Sequence, residues 1–213
     1  MKKLKILLTG LMMLVGTSGI FALDLETVCD QLSKNPVTRG DFVQKKSITT
    51  AKGSRELKSN GNYVFCADGI MWKTEKPFPS SMVVTKTRIV QTAADGKETV
   101  IDGRDNQTFA SIASAISAIF ANDLKVLQET FNISFLQFKS DASAWEMLLE
   151  AKDSTISSVM TKMSVKGTSI NNHSDINSIT LYEASANTIT YEFSNQKYSK
   201  ELSSDEKNIF FAQ

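Results

Sequence analysis

Residues that could do acid–base, nucleophilic or metal chemistry are sparse in this chain. Its one histidine, His173, sits in the polar run Ser169-Ile170-Asn171-Asn172-His173-Ser174 and reads as an exposed loop tip. No Cys/His cluster has metal-ligand spacing, and neither a G-x-S-x-G elbow nor a phosphate-binding glycine loop occurs. Asp102, Arg104 and Asp105 crowd a glycine-containing turn before a long uncharged stretch. Short polar side chains at such a place suit turns and helix caps. Nothing singles out a carboxylate pair for sugar hydrolysis. No catalytic residue, cofactor or metal is therefore expected, and the chain reads as non-enzymatic.

Cys29 and Cys66 are the two cysteines. They lack C-x-x-C spacing, which argues against redox chemistry. In an oxidising compartment a structural disulfide is the favoured reading, with two buried thiols as the alternative. A bridge would close a loop of 36 intervening residues, which by the chain-entropy account contributes roughly 3–4 kcal/mol.

The remaining chemistry is apolar. Gly61 to Gln91 reads GNYVFCADGIMWKTEKPFPSSMVVTKTRIVQ, short strands with large apolar residues, a Trp, and a Pro-Phe-Pro break that cannot donate to a ladder. Farther on, Trp145, Met147 and Leu149 lie two apart, as do Met163 and Val165, Ile179 and Leu181, and Ile189, Tyr191 and Phe193. Residues two apart share a strand face, so these strands have one apolar face and one mostly polar face, the pattern of an antiparallel sheet with one side in water.

The elements that must position these faces follow from the same patterning. Leu23–Leu32 is expected as a short helix ended by Asn35-Pro36. Strands are expected at Gly40–Thr50, Arg55–Cys66, Ile70–Thr74 and Ser81–Gln91, with a fifth at Thr99–Ile101. Asn106–Asn122 has no charged residue over 17 positions, and Phe109, Ile112, Ile116, Ile119 and Phe120 recur at helical spacing. That predicts a helix with an apolar face and a back of Ala, Ser and Thr, either a packed core helix or a cover over an apolar cavity. A second helix is expected from Asp123 to about Thr130. A strand meander follows Phe131, interrupted by a helical turn at Ser154–Met160. The order predicts an α+β fold: a strongly curved antiparallel sheet forming an unclosed β-barrel, its apolar concave side covered by helices.

Met1–Ala22 has the three parts of a secretory signal peptide: Lys2, Lys3 and Lys5, then the apolar run Ile6–Val15, then small residues up to Ala22. The apolar run is too short for a helix to span a bilayer core of about 30 Å. Residues 23–213 are expected to form one domain, exported to the periplasm, with the signal removed. The full chain has 24 basic and 23 acidic residues. Loss of residues 1–22 takes three Lys and no acid, leaving 21 against 23, a net charge of −2. That balance argues against nucleic acid as a partner, because binding phosphates needs a basic patch.

Several segments carry a resemblance. Gly40-Asp41-Phe42-Val43-Gln44-Lys45 resembles the first-strand entry of the LolA-type lipoprotein carriers, and Gly61–Phe65 resembles their second strand. Met71-Trp72-Lys73-Thr74-Glu75-Lys76-Pro77-Phe78-Pro79-Ser80 is the sharpest match, similar to a divergent branch of that family. Leu202-Ser203-Ser204-Asp205-Glu206-Lys207 before Ile209-Phe210 is similar to the family's ending. One departure is plain: Phe65-Cys66-Ala67-Asp68-Gly69 lacks the basic residue that several carriers place before a Pro at the end of the second strand, where it helps control lid opening. The resemblance implies a monomeric periplasmic carrier that takes acylated lipoprotein or lipid cargo from an inner-membrane ABC exporter to an outer-membrane acceptor. The expected cavity residues are Phe42, Tyr63, Phe65, Trp72, Val84, Ile112, Ile116, Phe120, Trp145, Met147, Leu149, Ile179 and Leu181. The alternative is an envelope assembly or structural module in which the same apolar face is an ordinary filled core.

Overall fold

The computed structural model describes residues 23–50, 53–85, 87–102, 111, 114, 115, 117–119 and 121–211. A helix α1 (Leu25–Ser33) leads into six strands: β1 (Val37–Thr50), β2 (Gly53–Cys66), β3 (Gly69–Lys76), β4 (Ser80–Thr85), β5 (Arg88–Thr92) and β6 (Glu98–Asp102). After the helical positions near Ile119 come α2 (Leu124–Thr130), β7 (Phe131–Gln137), β8 (Ala144–Ala151), α3 (Ser154–Ser157), β9 (Met160–Ile170), β10 (His173–Glu183), β11 (Thr188–Ser199) and α4 (Ser204–Phe211). The signal-peptide segment 1–22 lies outside the described residues, as do Arg104 and Asp105.

All eleven strands form one antiparallel sheet in the order β6-β5-β4-β3-β2-β1-β11-β10-β9-β8-β7. Two meanders, β1–β6 and β7–β11, are therefore zipped together where the first strand pairs with the last, Phe42 opposite Phe193 and Gln44 opposite Tyr191. β6 and β7 remain edges, so the sheet is not closed. The strand expected over Ser81–Gln91 is instead the hairpin β4–β5. Its turn is organised by Thr85, whose hydroxyl accepts from the backbone N–H groups of Thr87 and Arg88 and donates to the Arg88 carbonyl. A threonine that bonds its own backbone ahead of it makes a turn that the run of β-formers conceals.

Two glycines mark close approaches. A Cβ on Gly61 would lie 1.9 Å from the Lys73 carbonyl oxygen, at a register shift between Asn60 and Gly61. One on Gly167 would lie 2.2 Å from Cζ2 of Trp145, its cross-strand partner. The Trp145 indole occupies the space that a side chain at this position would fill. Further register shifts fall at Arg39/Asp41, Ile176/Ser178 and Tyr182/Glu183. Such irregularities bend a strand and increase its twist.

The two faces hold different cores. On one, Phe42, Phe65, Trp72, Trp145, Met147 and Met163 pack in a single cluster that also takes in Val28, Cys29 and Leu32 of α1, Ala115, Ala118 and Ile119, and Leu127 of α2. Asp24 caps α1 by accepting from the Thr27 N–H at 2.8 Å. Gln31 of α1 is buried, and its amide oxygen accepts 2.7 Å hydrogen bonds from both Ser169 and Ser174. The opposite face carries a small cluster of Val37, Val64, Cys66 and Val83 beneath Leu202 and Phe210. Ser203 and Glu206 form a reciprocal cap at the start of α4: the Ser203 N–H donates to the Glu206 carboxylate at 2.7 Å, and the Glu206 N–H donates to the Ser203 hydroxyl at 3.2 Å. This is the S-x-x-E capping box. Arg39 then holds the same carboxylate from Nε and Nη2 at 2.5 Å each, which pins α4 to β1.

The favoured cysteine bridge is corrected by this division. Cys29 and Cys66 are both free thiols, buried in different clusters. Burial pushes the Cys29 thiol up to about 12 and raises that of Cys66, so each behaves as a small apolar side chain. His173 also departs from expectation. It opens β10 rather than tipping a loop, with its ring between the Asn35 amide at 3.2 Å and the Asp175 carboxylate at 2.9 Å.

Candidate functional site

A cavity of about 600 Å³ opens on the apolar face. Its walls come from both meanders. Trp72, Met82 and Gln91 lie on β3, β4 and β5, whereas Met160, Leu181 and Tyr191 lie on β9, β10 and β11. β4 and β10 are five strands apart in the sheet, which in a flat sheet would separate them by about 24 Å at ~4.8 Å per strand. Residues of both line one cavity, so the sheet curls over its own apolar face.

The period-2 geometry of strands sets a gradient from the cavity floor to its mouth. Along β1 the inward positions run Phe42, Gln44, Lys46; along β3, Trp72 and Thr74; along β10, Leu181 and Glu183. In each strand the buried end is apolar and the residues two or four positions on are polar. The floor is aromatic. Tyr191 meets Phe42 edge-on at 5.9 Å between ring centroids and Trp72 at 5.5 Å. Burial pushes the Tyr191 phenol up to about 12, so it stays neutral. The Trp72 indole N–H is buried without a hydrogen-bond acceptor among the described residues.

At the mouth Lys46 and Glu183 form a 3.0 Å ion pair across the sheet. Burial pushes the Glu183 carboxyl up, but hydrogen bonds from Lys46, Asn187 and Ser185 outweigh it and leave the group below the usual carboxylate range. Gln44 accepts from Ser59 at 2.7 Å. Glu183 is the one carboxylate among the described lining residues, which include neither His nor Cys. The arrangement can bind an apolar body with a polar end.

Of the expected cavity residues, Phe42, Trp72 and Leu181 line this space. Tyr63, Phe65, Val84, Trp145, Met147, Leu149 and Ile179 belong to the same buried cluster but are closely packed, none more than 2% exposed. Ile112, Ile116 and Phe120 lie outside the described residues. The apolar face thus has a filled part, centred on Trp145, and an open part. Sequence reasoning had put Ile189 and Tyr191 on an apolar strand face without assigning them to the site. It missed Met82, which shares a face with Val84 two residues on, and Met160, which follows a helical turn. The Lys46–Glu183 pair had no local signal, since it joins strands brought together only by the β1–β11 seam.

A DUF1329-family protein from Desulfovibrio piger shares the fold, with a TM-score of 0.50, 11% identity, and 88% of this chain and 94% of that one covered. A putative outer membrane lipoprotein-sorting protein domain from Vibrio parahaemolyticus aligns at TM-score 0.46 and 12% identity, covering 87% and 97% of the two chains. A LolA-superfamily protein from Nitrosomonas europaea aligns at 0.47 and 8%, covering 87% and 97%. Comparison with curated proteins found no match. The chain belongs to the LolA family: the family model described as outer membrane lipoprotein carrier protein LolA matches residues 34–208. Members of that family are carriers and not enzymes, and membership supports a carrier role toward lipoprotein or lipid.

Proposed function

We propose that this protein is a periplasmic carrier that holds the acyl chains of lipoproteins, or of a related lipid, in the β1–β3–β4/β9–β11 cavity and moves them from the inner to the outer membrane. The observation that carries the reading is the cavity itself: about 600 Å³ walled by Trp72, Met82, Met160, Leu181 and Ile189 in a chain of the LolA family. Exposing an acyl chain to water costs about 0.8 kcal/mol per methylene, so transit through an aqueous compartment demands such a space. Methionine suits it, because an unbranched thioether adapts to chains of different shape. In this reading the helical residues around Ile119 cover the apolar face and move when cargo enters. The signal-like segment 1–22 supports export, after which the carrier works as a monomer between an inner-membrane ABC exporter and an outer-membrane acceptor.

The test is direct. The exported chain is purified from a diderm host without detergent, and its organic extract is analysed by mass spectrometry. Stoichiometric acylated peptide or lipid is expected. The second reading, an envelope module with a filled core, draws on the close packing around Trp145 and Met147. It is preferred if the protein emerges empty and takes up no acyl probe.

A further inference from the structure

We infer that the N-terminal half of β2 is a strand-addition site for cargo, where the extended polypeptide next to the acyl anchor pairs as it leaves the cavity. This rests on the carrier reading above and deepens it, naming where the protein part of an acylated cargo is held. The first argument is an unmatched length. β1 and β2 pair with each other along their whole course, from Val37 opposite Cys66 to Thr50 opposite Gly53. β3 follows β2 only as far as Lys76, opposite Asn60. There Pro77-Phe78-Pro79 leaves the sheet, and a proline has no N–H with which to continue a ladder. Residues 53–59 therefore have a partner strand on one side only among the described residues. At ~3.3 Å per residue this bare edge is about 20 Å long.

The second argument is which groups the edge presents. The Thr49 N–H donates to the Asn187 side-chain oxygen at 3.1 Å, away from β2. Thr49 stands opposite Ser54, so these two are not a hydrogen-bonded pair. The alternation of an antiparallel ladder then turns the N–H and C=O groups of Ser54, Glu56 and Lys58 away from β1, to the bare side. All three residues are exposed. A row of unpaired main-chain donors and acceptors is a template for another extended chain, and main-chain bonding of this kind does not depend on the sequence of that chain.

The third argument is position. Gln44 and Lys46 line the cavity. Their cross-strand partners are Ser59 and Leu57, and the Ser59 hydroxyl donates to Gln44 at 2.7 Å. Paired residues share a sheet face, so Ser59, Leu57 and Arg55 prolong the inward face beyond the mouth. Leu57 is 43% exposed there. An acyl anchor seated in the cavity, whatever its number of chains, delivers its attached polypeptide to this mouth, and the bare edge begins beside it.

The experiment uses the exported full chain, purified without detergent, and lipids below their aggregation concentrations. Tripalmitoyl-cysteine amide is compared with the same lipid carrying an extended tail of roughly six Ser and Thr residues, long enough to span the edge. Displacement of a bound fluorescent fatty acid reads affinity. The tail is expected to tighten binding roughly tenfold, the worth of one or two net backbone hydrogen bonds. It is also expected to slow amide hydrogen exchange across residues 53–59, which the lipid without a tail does not. N-methylation of every second tail amide, made in both phases, is expected to remove the gain in one phase and spare it in the other, because only alternate residues of a strand bond to a given side. Glu56→Pro removes one outward N–H without touching the β1 ladder. It is expected to cut the gain to about twofold or less while affinity for the lipid without a tail is unchanged. Equal affinity for the two lipids overturns the inference and leaves the carrier reading intact. A gain that survives both methylation phases and Glu56→Pro overturns it too, since the tail then binds elsewhere. A dimer of the protein that protects residues 53–59 and that the tailed lipid does not dissociate assigns the edge to a second copy, with the same consequence. Failure of both lipids to bind removes the carrier reading and this inference with it.

Discussion

The division of the apolar face into a filled part and an open part is open to test with two leucines. Leu181 and Leu149 belong to the same cluster on the same sheet. Leu181 is partly buried and lines the cavity; Leu149 is 0% exposed and does not. Leu181→Trp adds six non-hydrogen atoms to a wall that has empty space before it. If the indole excludes three or so methylenes of a bound chain at about 0.8 kcal/mol each, the ligand loses roughly 2–3 kcal/mol, which is about 30- to 150-fold in affinity. The fold itself should be little affected, since the extra atoms enter a void rather than a packed site. Leu149→Ala does the reverse. It removes buried methyl groups from a site without slack and should cost about 2–5 kcal/mol of stability while acyl affinity stays within a factor of two or three. Displacement of a fluorescent fatty acid and urea unfolding would be run on both variants. If Leu181→Trp binds like the parent, or if Leu149→Ala loses affinity as steeply as stability, the two parts of the face are not distinct and the placement of the site is wrong.

The remaining predictions concern what holds the sheet and its helices. Hydrogen bonds from Arg39 draw the Glu206 carboxyl, against the opposing effect of burial, down to about 2. Its contribution is therefore complete above the usual carboxylate value of 4.5 and is lost as pH falls toward 2. Glu206→Gln should cost roughly 1.5–3 kcal/mol near neutrality and progressively less toward pH 2, which urea unfolding across that range would measure; a penalty independent of pH would contradict the ion pair. Gly167→Ala should destabilise by about 2 kcal/mol or more, because the new Cβ would lie within 2.2 Å of both the Trp145 ring and the Asp175 carbonyl oxygen. Tryptophan emission should shift with it, and a parent-like melting curve would disprove the contact. Because Cys29 and Cys66 are buried free thiols, reductant should leave the unfolding midpoint unchanged, and both should react with a thiol probe only after denaturation. A reductant-dependent midpoint would restore the bridge.

Much of the fold was legible because its strands alternate cleanly. Trp145-Met147-Leu149 and Ile179-Leu181 name their inward face by spacing alone, and the observed registers agree, Met147 opposite Val165 and Leu181 opposite Met163. The β4–β5 turn was not legible, since it depends on the Thr85 hydroxyl within a run that otherwise favours a strand. Helix α4 was half legible: Ser203 and Glu206 are a capping box in plain view, but a helix of eight residues shows little periodicity when only Phe210 is buried. The site was the least legible part. Alternation says which residues face inward, not which inward residues touch one another and which touch nothing. Trp145 and Trp72 look alike in sequence; one is pressed against Gly167, the other borders empty space.

That difference follows from where large side chains meet glycine and where they meet one another. Around Trp145 the opposing position is Gly167, so bulk on one strand is accommodated by its absence on the next. Around the cavity, the inward residues of β1, β3 and β10 grow polar toward the mouth, Phe42 to Gln44 to Lys46, Trp72 to Thr74 and Leu181 to Glu183, and long polar side chains extend toward water rather than into the interior. The core therefore thins toward one end of the sheet, and the Lys46–Glu183 pair braces the gap by tying β1 to β10 across β11. A filled end keeps the sheet rigid and curled, and the thinning end keeps a volume open beside it. The same chain needs both, because an apolar cavity without a rigid wall would collapse onto its own side chains, while a face packed throughout would have nowhere to put a ligand.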